Sequence, residues 1–273
     1  MSTNTCRAGA GAALLAALGL AMSPAASADS DAELAKKAQN PIAAMISLPL
    51  QLNYDEGYGA TGDGEKWLLN VQPVIPFDLG SDWNLISRTI VPLIDQEDFV
   101  AGGALDESGV GDVLQSLFFS PKAPTAGGWI WGVGPALLLP TASDKVLGSE
   151  KWALGPTAVV LKQENGWTYG VLGNHLWSVA GEDDRDDISA TFVQPFLGYT
   201  TRTYTTFMIN TESTYDWKRE TWSVPVNLMV TQMLRVGGQP LTLQAGARYW
   251  ADSPDGGPDG WGFRFAVTFL FPK

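Results

Sequence analysis

The chain has 273 residues, a net charge of −12 and a mean hydropathy of zero. That acidity argues against a nucleic-acid partner, because phosphates demand basic surface. A single cysteine, Cys6, rules out a disulfide framework or a thiolate metal site, and past the leader no apolar run reaches the roughly 20 residues of a spanning helix.

Residues 1–28 read as a secretory signal: Arg7, an apolar run from Ala8 to Ala21, Pro24 and the small-residue site Ala26-Ser27-Ala28, with cleavage expected after Ala28. Cys6 precedes the apolar run, so a lipoprotein anchor is not expected. Roughly 245 residues follow, enough for one large domain. Residues 29–41 contain a short helix-prone stretch, Ser30 to Asn40, stopped by Pro41. It is expected in the periplasm or inside a lumen.

From residue 42 to the end, a soluble-looking mean hydropathy coexists with eleven Trp and eleven Phe. Period-2 alternation reconciles the two, since averaging hides it. In 46–54, Ile46, Leu48, Leu50, Leu52 and Tyr54 share one face and Ser47, Gln51 and Asn53 the other. In 67–77, Trp67, Leu69, Val71, Ile75 and Phe77 oppose Asn70 and Gln72. The last segment puts Trp261, Phe263, Phe265, Val267, Phe269 and Phe271 on one face. Twelve segments recur, at 42–54, 66–78, 83–94, 109–120, 128–141, 151–163, 166–179, 188–200, 203–215, 221–234, 240–251 and 261–271. Each can supply the roughly 9–11 residues of a tilted spanning strand.

The connections alternate between long acidic loops (55–65, 95–108, 142–150, 180–187, 216–220, 252–260) and mostly shorter ones (79–82, 121–127, 164–165, 201–202, 235–239). Long outer loops against short periplasmic turns is an outer-membrane pattern. An even strand count returns both termini to one side. Hydrocarbon offers no water to unpaired N–H and C=O groups, so the sheet must close. The expected fold is therefore all-β: a transmembrane antiparallel up-and-down β-barrel of about 12 strands over 42–273, with a short N-terminal helical segment. Trp67, Trp83, Trp129, Trp152, Trp167, Trp177, Trp222, Trp250 and Trp261 fall near segment ends, where indoles form girdles at the headgroups. A secreted β-sandwich would also alternate, but it would have to bury every large face in one core.

If large apolar residues face lipid, the opposite parity faces the lumen. That rule points Asn70, Gln72, Asn210, Glu212, Asn227, Gln244, Arg248 and Arg264 inward, with Arg88 joining from a strand apolar on both parities. Evenly closed hairpins set Arg264 close to opposite Arg248, Arg248 to Asn227, and Asn227 to Asn210, at Cβ separations of about 4.5–5.5 Å. Glu212 is the nearest inward acid to neutralise the arginines. These residues are expected to line a solute path as a polar constriction or, alternatively, to form a salt-bridged plug in a structural barrel.

A lipid hydrolase would rest on His175, the single histidine, and Ser178. Residues i and i+3 of a strand point to opposite faces, so no catalytic pair is expected. The run Glu182-Asp183-Asp184-Arg185-Asp186-Asp187 lacks EF-hand spacing and reads as a solvated loop. Neither a metal site nor a cofactor is expected.

Several stretches carry a resemblance: Ala32 to Ala43, Leu85 to Pro92, Leu154-Gly155-Pro156-Thr157, Trp167 to Gly170, Gln194-Pro195-Phe196, Gly237 to Pro240 and the ending Phe269 to Lys273. In that order they resemble a family of outer-membrane transporters described as MetA-pathway of phenol degradation proteins, some of which carry the name neuromedin U. Gly198 departs from the family pattern, where a polar residue precedes the tyrosine. The resemblance implies a porin-like barrel passing small, aromatic or hydrophobic compounds. Outer-membrane lipid and lipopolysaccharide are the expected surroundings of the barrel's apolar face. It supplies no catalytic residue.

Overall fold

In the computed structural model residues 30–97 and 106–272 are described; the signal-peptide reading and most of the 95–108 loop lie outside them. One helix is followed by strands that pair antiparallel with their sequence neighbours until the last meets the first. The strands are β1 (Ile46–Tyr58), β2 (Gly64–Val71), β3 (Val74–Asp78), β4 (Trp83–Glu97), β5 (Glu107–Val110), β6 (Val113–Pro121), β7 (Trp129–Leu139) and β8 (Lys151–Glu164). They continue as β9 (Trp167–Gly181), β10 (Ser189–Thr200), β11 (Thr205–Thr211), β12 (Ser213–Asp216), β13 (Thr221–Val236), β14 (Gln239–Asp252) and β15 (Gly260–Phe271).

Three of these junctions are interruptions within one wall strand, so the wall has twelve. β2 and β3 break at Gln72-Pro73, where the proline has no N–H to give. β11 and β12 break at Glu212, whose N–H reaches Pro225 O at 3.3 Å while Pro225 returns nothing. β5 and β6 break at Gly111-Asp112, where the Asp112 carboxylate accepts instead from Ala142 N and Ser149 N at 3.2 and 2.6 Å. Closure runs through β1 and β15, from Ile46↔Phe271 to Tyr54↔Phe263.

The twelve segments expected from alternation are all present, with the first displaced at both ends, Ile46–Tyr58 in place of 42–54. The first strand begins at Ile46, not residue 42. Asn40 turns the chain there: its side-chain oxygen accepts from Ile42 N at 3.0 Å and its carbonyl from Ala43 N at 3.1 Å. Ile42, Ala43 and Met45 are then buried inside the barrel mouth.

Outside, the aromatic side chains form two belts. At the short-turn end Trp129 meets Tyr169 and Trp167 meets Tyr199, with ring centroids 5.9 and 4.9 Å apart. At the long-loop end Tyr54 meets Trp67, Tyr215 meets Trp222 and Tyr249 meets Trp261, at 4.8, 4.9 and 5.0 Å. Trp250 corrects the girdle reading: it points into the lumen and donates Nε1–H to Asp55 at 2.8 Å.

The helix α1 (Asp31–Ala38) has the charges its dipole favours, with Asp31 and Glu33 in the first turn, Lys36 and Lys37 in the last, and Ser30 as N-cap. Eight residues are too few to hold a helix in water alone, so tertiary contacts hold it. Leu34 and Ala35 are buried against Met45, Met233 and Leu270. Asp31 pairs with Arg235 at 2.6 Å, and Lys36 O accepts from Gln163 at 2.9 Å. These partners belong to β13, β15 and β8, so α1 lies across the short-turn mouth. Replacing Leu34 by Ala should weaken this docking by about 2–3 kcal/mol and speed trypsin cleavage at Lys36-Lys37 at least tenfold in detergent-solubilised protein, read by gel or mass spectrometry.

Candidate functional site

Inside the barrel, the inward residues differ by sector. From β3 to β10 they are largely apolar: Val74, Ile86, Phe118, Val159, Leu161, Leu172 and Phe196 close around Ile42 toward the short-turn end. From β11 round to β2 they are mostly polar, with Met208, Met229, Met233 and Leu270 as apolar exceptions. Between the two sectors lies a chamber of about 420 Å³, lined by Leu114, Leu172, Leu176 and Phe192 with Asn174 and Gln194 on the mostly apolar side, and by Gln51, Asn70, Gln72, Asn210 and Gln244 with Met208 on the mostly polar side.

The polar wall is organised by Glu212 and two arginines. Arg264 donates Nη1–H and Nη2–H to the two Glu212 oxygens at 2.8 and 2.7 Å, a bidentate geometry, and Nε–H to Asn53 at 2.7 Å. Arg264 is 2% exposed, so its charge depends on these partners. Arg248 stands between two acids, with Nη1 3.7 Å from Glu212 and Nε 3.1 Å from Asp55. The second approach is an ion pair without hydrogen-bond alignment, and Nε–H is left unmet. Trp250 lies 4.7 Å from the Arg248 guanidinium and ties back to Asp55. Two cations and two carboxylates are thus packed together, and Arg88 adds a third cation on the chamber surface.

The residues singled out from the sequence are placed as follows. Asn70, Gln72, Arg88, Asn210, Glu212, Gln244 and Arg264 line the chamber. Arg88 donates to Gln72 at 2.9 Å. Asn227 and Arg248 sit in the polar wall but not on the chamber surface; Asn227 donates to Asn210 at 2.8 Å. Asn227 faces Arg248 and Asn210 in the register, whereas Arg264 faces Gly246 and Asn53, with Arg248 opposite Gly262. The arginines are therefore diagonal neighbours, two residues apart, which leaves room for Glu212 between them.

Sequence reasoning missed Asn53, Asp55 and Trp250. Asn53 was on the polar face of its segment, and pairing the last strand with the first would have set it against Arg264. Asp55 was read as loop because β1 runs on to Tyr58.

His175 and Ser178 occupy opposite faces. His175 Nδ1 is 2.7 Å from Thr191 Oγ1 on the outer face, while Ser178 donates to Asp187 at 3.0 Å. Among the described residues no group of three or more His, Cys, Asp or Glu could hold a metal ion.

The outer mouth is framed by loops. Arg185, inside the acidic run, donates Nη2–H to Gly148 O and Lys145 O at 2.6 and 2.9 Å and pairs with Glu150 at 3.2 Å. It so clamps the β9–β10 loop to the β7–β8 loop. The Ser178 hydroxyl and then Lys151 hold the Asp187 carboxyl below its ordinary range. A pocket of about 590 Å³ opens among these loops and shares Ala190 with the chamber.

No protein-family model and no curated protein matches the chain. Among solved structures it is similar to an outer membrane channel from Pseudomonas putida F1: 15% identity over 84% of this chain and 96% of that one, TM-score 0.65. At that identity the likeness is one of fold. The beta domain of the Bordetella autotransporter BrkA (10% identity, 84% and 100% covered) and outer membrane phospholipase A from Escherichia coli (13%, 89% and 97%) both reach a TM-score of 0.46.

Replacing Glu212 by Gln keeps its shape but leaves two arginines short of a counter-charge. Removing one partner of a buried pair costs about 3–5 kcal/mol, so the urea midpoint of the refolded barrel should fall. Replacing Glu212 and Arg264 together by Gln and Met should recover most of that loss.

Proposed function

We propose that the chain is an outer-membrane channel for small solutes, set in outer-membrane lipid and lipopolysaccharide. The observation that carries this reading is the chamber. A closed barrel that needed only to be stable would fill its interior, whereas this one keeps about 420 Å³ open, and Ala190 of its lining also borders a pocket among the outer loops. A mostly polar wall facing a mostly apolar one also fits a solute with an apolar body and a hydrogen-bonding group, the kind of compound implied by the resemblance to the phenol-degradation family. Leu114, Leu172, Leu176 and Phe192 accept the body, while Asn70, Gln72 and Gln244 offer amides to the polar end. Asn70, Gln72, Arg88, Asn210, Glu212 and Gln244, with Arg264, then line the path, and Asn227 and Arg248 support it from behind.

One observation favours a second reading, a non-conducting structural barrel: α1 and the Ile42 cluster occupy the short-turn mouth. Liposome swelling separates the two. The full chain should admit arabinose slowly, and a form lacking residues 30–41 should admit it several-fold faster, with a matching rise in single-channel conductance. Failure of both forms to pass arabinose would leave only the structural barrel.

A further inference from the structure

A cation on an apolar wall needs a partner of opposite sign, and Arg88 stands on such a wall. Across to β6 it faces Ser116, and the inward pairs on either side are Ile86↔Phe118 and Ile90↔Leu114. On its other flank it faces Val74 of β3. Ile86 and Phe118 are fully buried, and Val74 nearly so. The Arg88 guanidinium donates Nη2–H to the Gln72 side-chain oxygen at 2.9 Å, and among the described residues it forms no ion pair. Both Glu212 oxygens are already taken by Arg264, with Arg248 3.7 Å from one of them.

The chamber is left with an unbalanced charge. Its charged lining residues are Arg88, Arg264 and Glu212, so once Arg264 and Glu212 cancel, the charge of Arg88 remains. A barrel built only for stability gains nothing from a cation between apolar pairs, where a hydrophobic side chain would pack with Ile86 and Leu114 instead. What Arg88 does offer is a planar fork of N–H donors, of which Gln72 engages one nitrogen. The Ser116 hydroxyl, opposite it and on the same chamber surface, is a further donor.

Charge and shape together specify the partner. Two coplanar oxygens sharing one negative charge match a guanidinium in bidentate fashion, as Glu212 already does on Arg264. We infer that Arg88 binds the carboxylate of an apolar monocarboxylate solute, with the Ser116 hydroxyl beside it and the apolar body laid against Ile90, Leu114, Leu172 and Phe192. The solute then brings the counter-charge that the barrel leaves out. A phosphate dianion would bring more charge than Arg88 balances, and Ile90 and Leu114 could not solvate the excess. The inference deepens the channel reading and rests on it, because it names the hydrogen-bonding group of the solute.

The test uses the full barrel in detergent at neutral pH, titrated calorimetrically with benzoate and with benzamide, its uncharged counterpart of the same shape. The parent should bind benzoate at least tenfold more tightly. Arg88→Gln should bring the ratio of the two affinities to within twofold of one. Gln72→Glu, which sets a carboxylate beside Arg88 and leaves the arginine in place, should do the same. Should neither variant assemble, phenylglyoxal labelling of the parent decides: benzoate, and not benzamide, should slow modification of Arg88 at least fivefold, read by mass spectrometry. Equal affinities in the parent, a tenfold preference that survives either assembled variant, or an Arg88 that benzoate does not protect overturns the carboxylate site. A barrel that passes arabinose but fails these measurements remains a channel. Benzoate binding with no arabinose passage, in the parent or in the form without residues 30–41, instead sinks the channel reading and leaves a ligand site in a closed barrel.

Discussion

A backbone placed in hydrocarbon must satisfy its own N–H and C=O groups, and most of this molecule follows from that. A sheet with an open edge would leave a row of such groups unpaired, so the last strand closes on the first. Closure fixes parity around the whole ring, which sends Asn53, Arg264, Gly246 and Asn227 to one side and Leu52, Phe265, Ala247 and Leu228 to the other. Where the rule is relaxed, at Pro73 and at Glu212 beside Pro225, the wall breaks its strand.

The interior obeys a second constraint, that charge taken out of water must be paired. Two arginines directly opposite would repel. Their diagonal offset instead lets one Glu212 carboxylate take Arg264 in bidentate fashion and still lie near Arg248, while Asp55 approaches Arg248 from the other side. The network ties β1, β14 and β15 to the β11–β12 break on one side of the lumen and leaves the opposite side mostly apolar. The chamber is the space between these two solutions.

The N-terminal segment belongs to the same economy of surfaces. Apolar lumen residues at the short-turn end would face water if nothing covered them. Ile42 fills the cluster around Phe118 and Leu161, and α1 lays Leu34 and Ala35 over Met233 and Leu270. A helix too short to fold alone is formed by what it covers.

Alternation by itself determined that this is a barrel, how many strands it has and which way Asn210, Asn227, Arg248 and Arg264 point, because a face wetted by acyl chains imposes a period of two on every strand. It said little where both faces are apolar: Ile86, Phe118, Leu161 and Phe196 look like lipid-facing positions and are in fact lumen filling. Nor does local pattern set register to within two residues: even hairpin closure puts Arg264 close to opposite Arg248, whereas it stands opposite Gly246, two residues away. Trp250 and Asp55 were assigned to girdle and loop, since neither role depends on neighbours in the chain. Only the tertiary structure decided these matters, because a side chain's partner across a closed lumen comes from strands far away in sequence, as Asn53 and Arg264 do, and is chosen by how the cylinder closes.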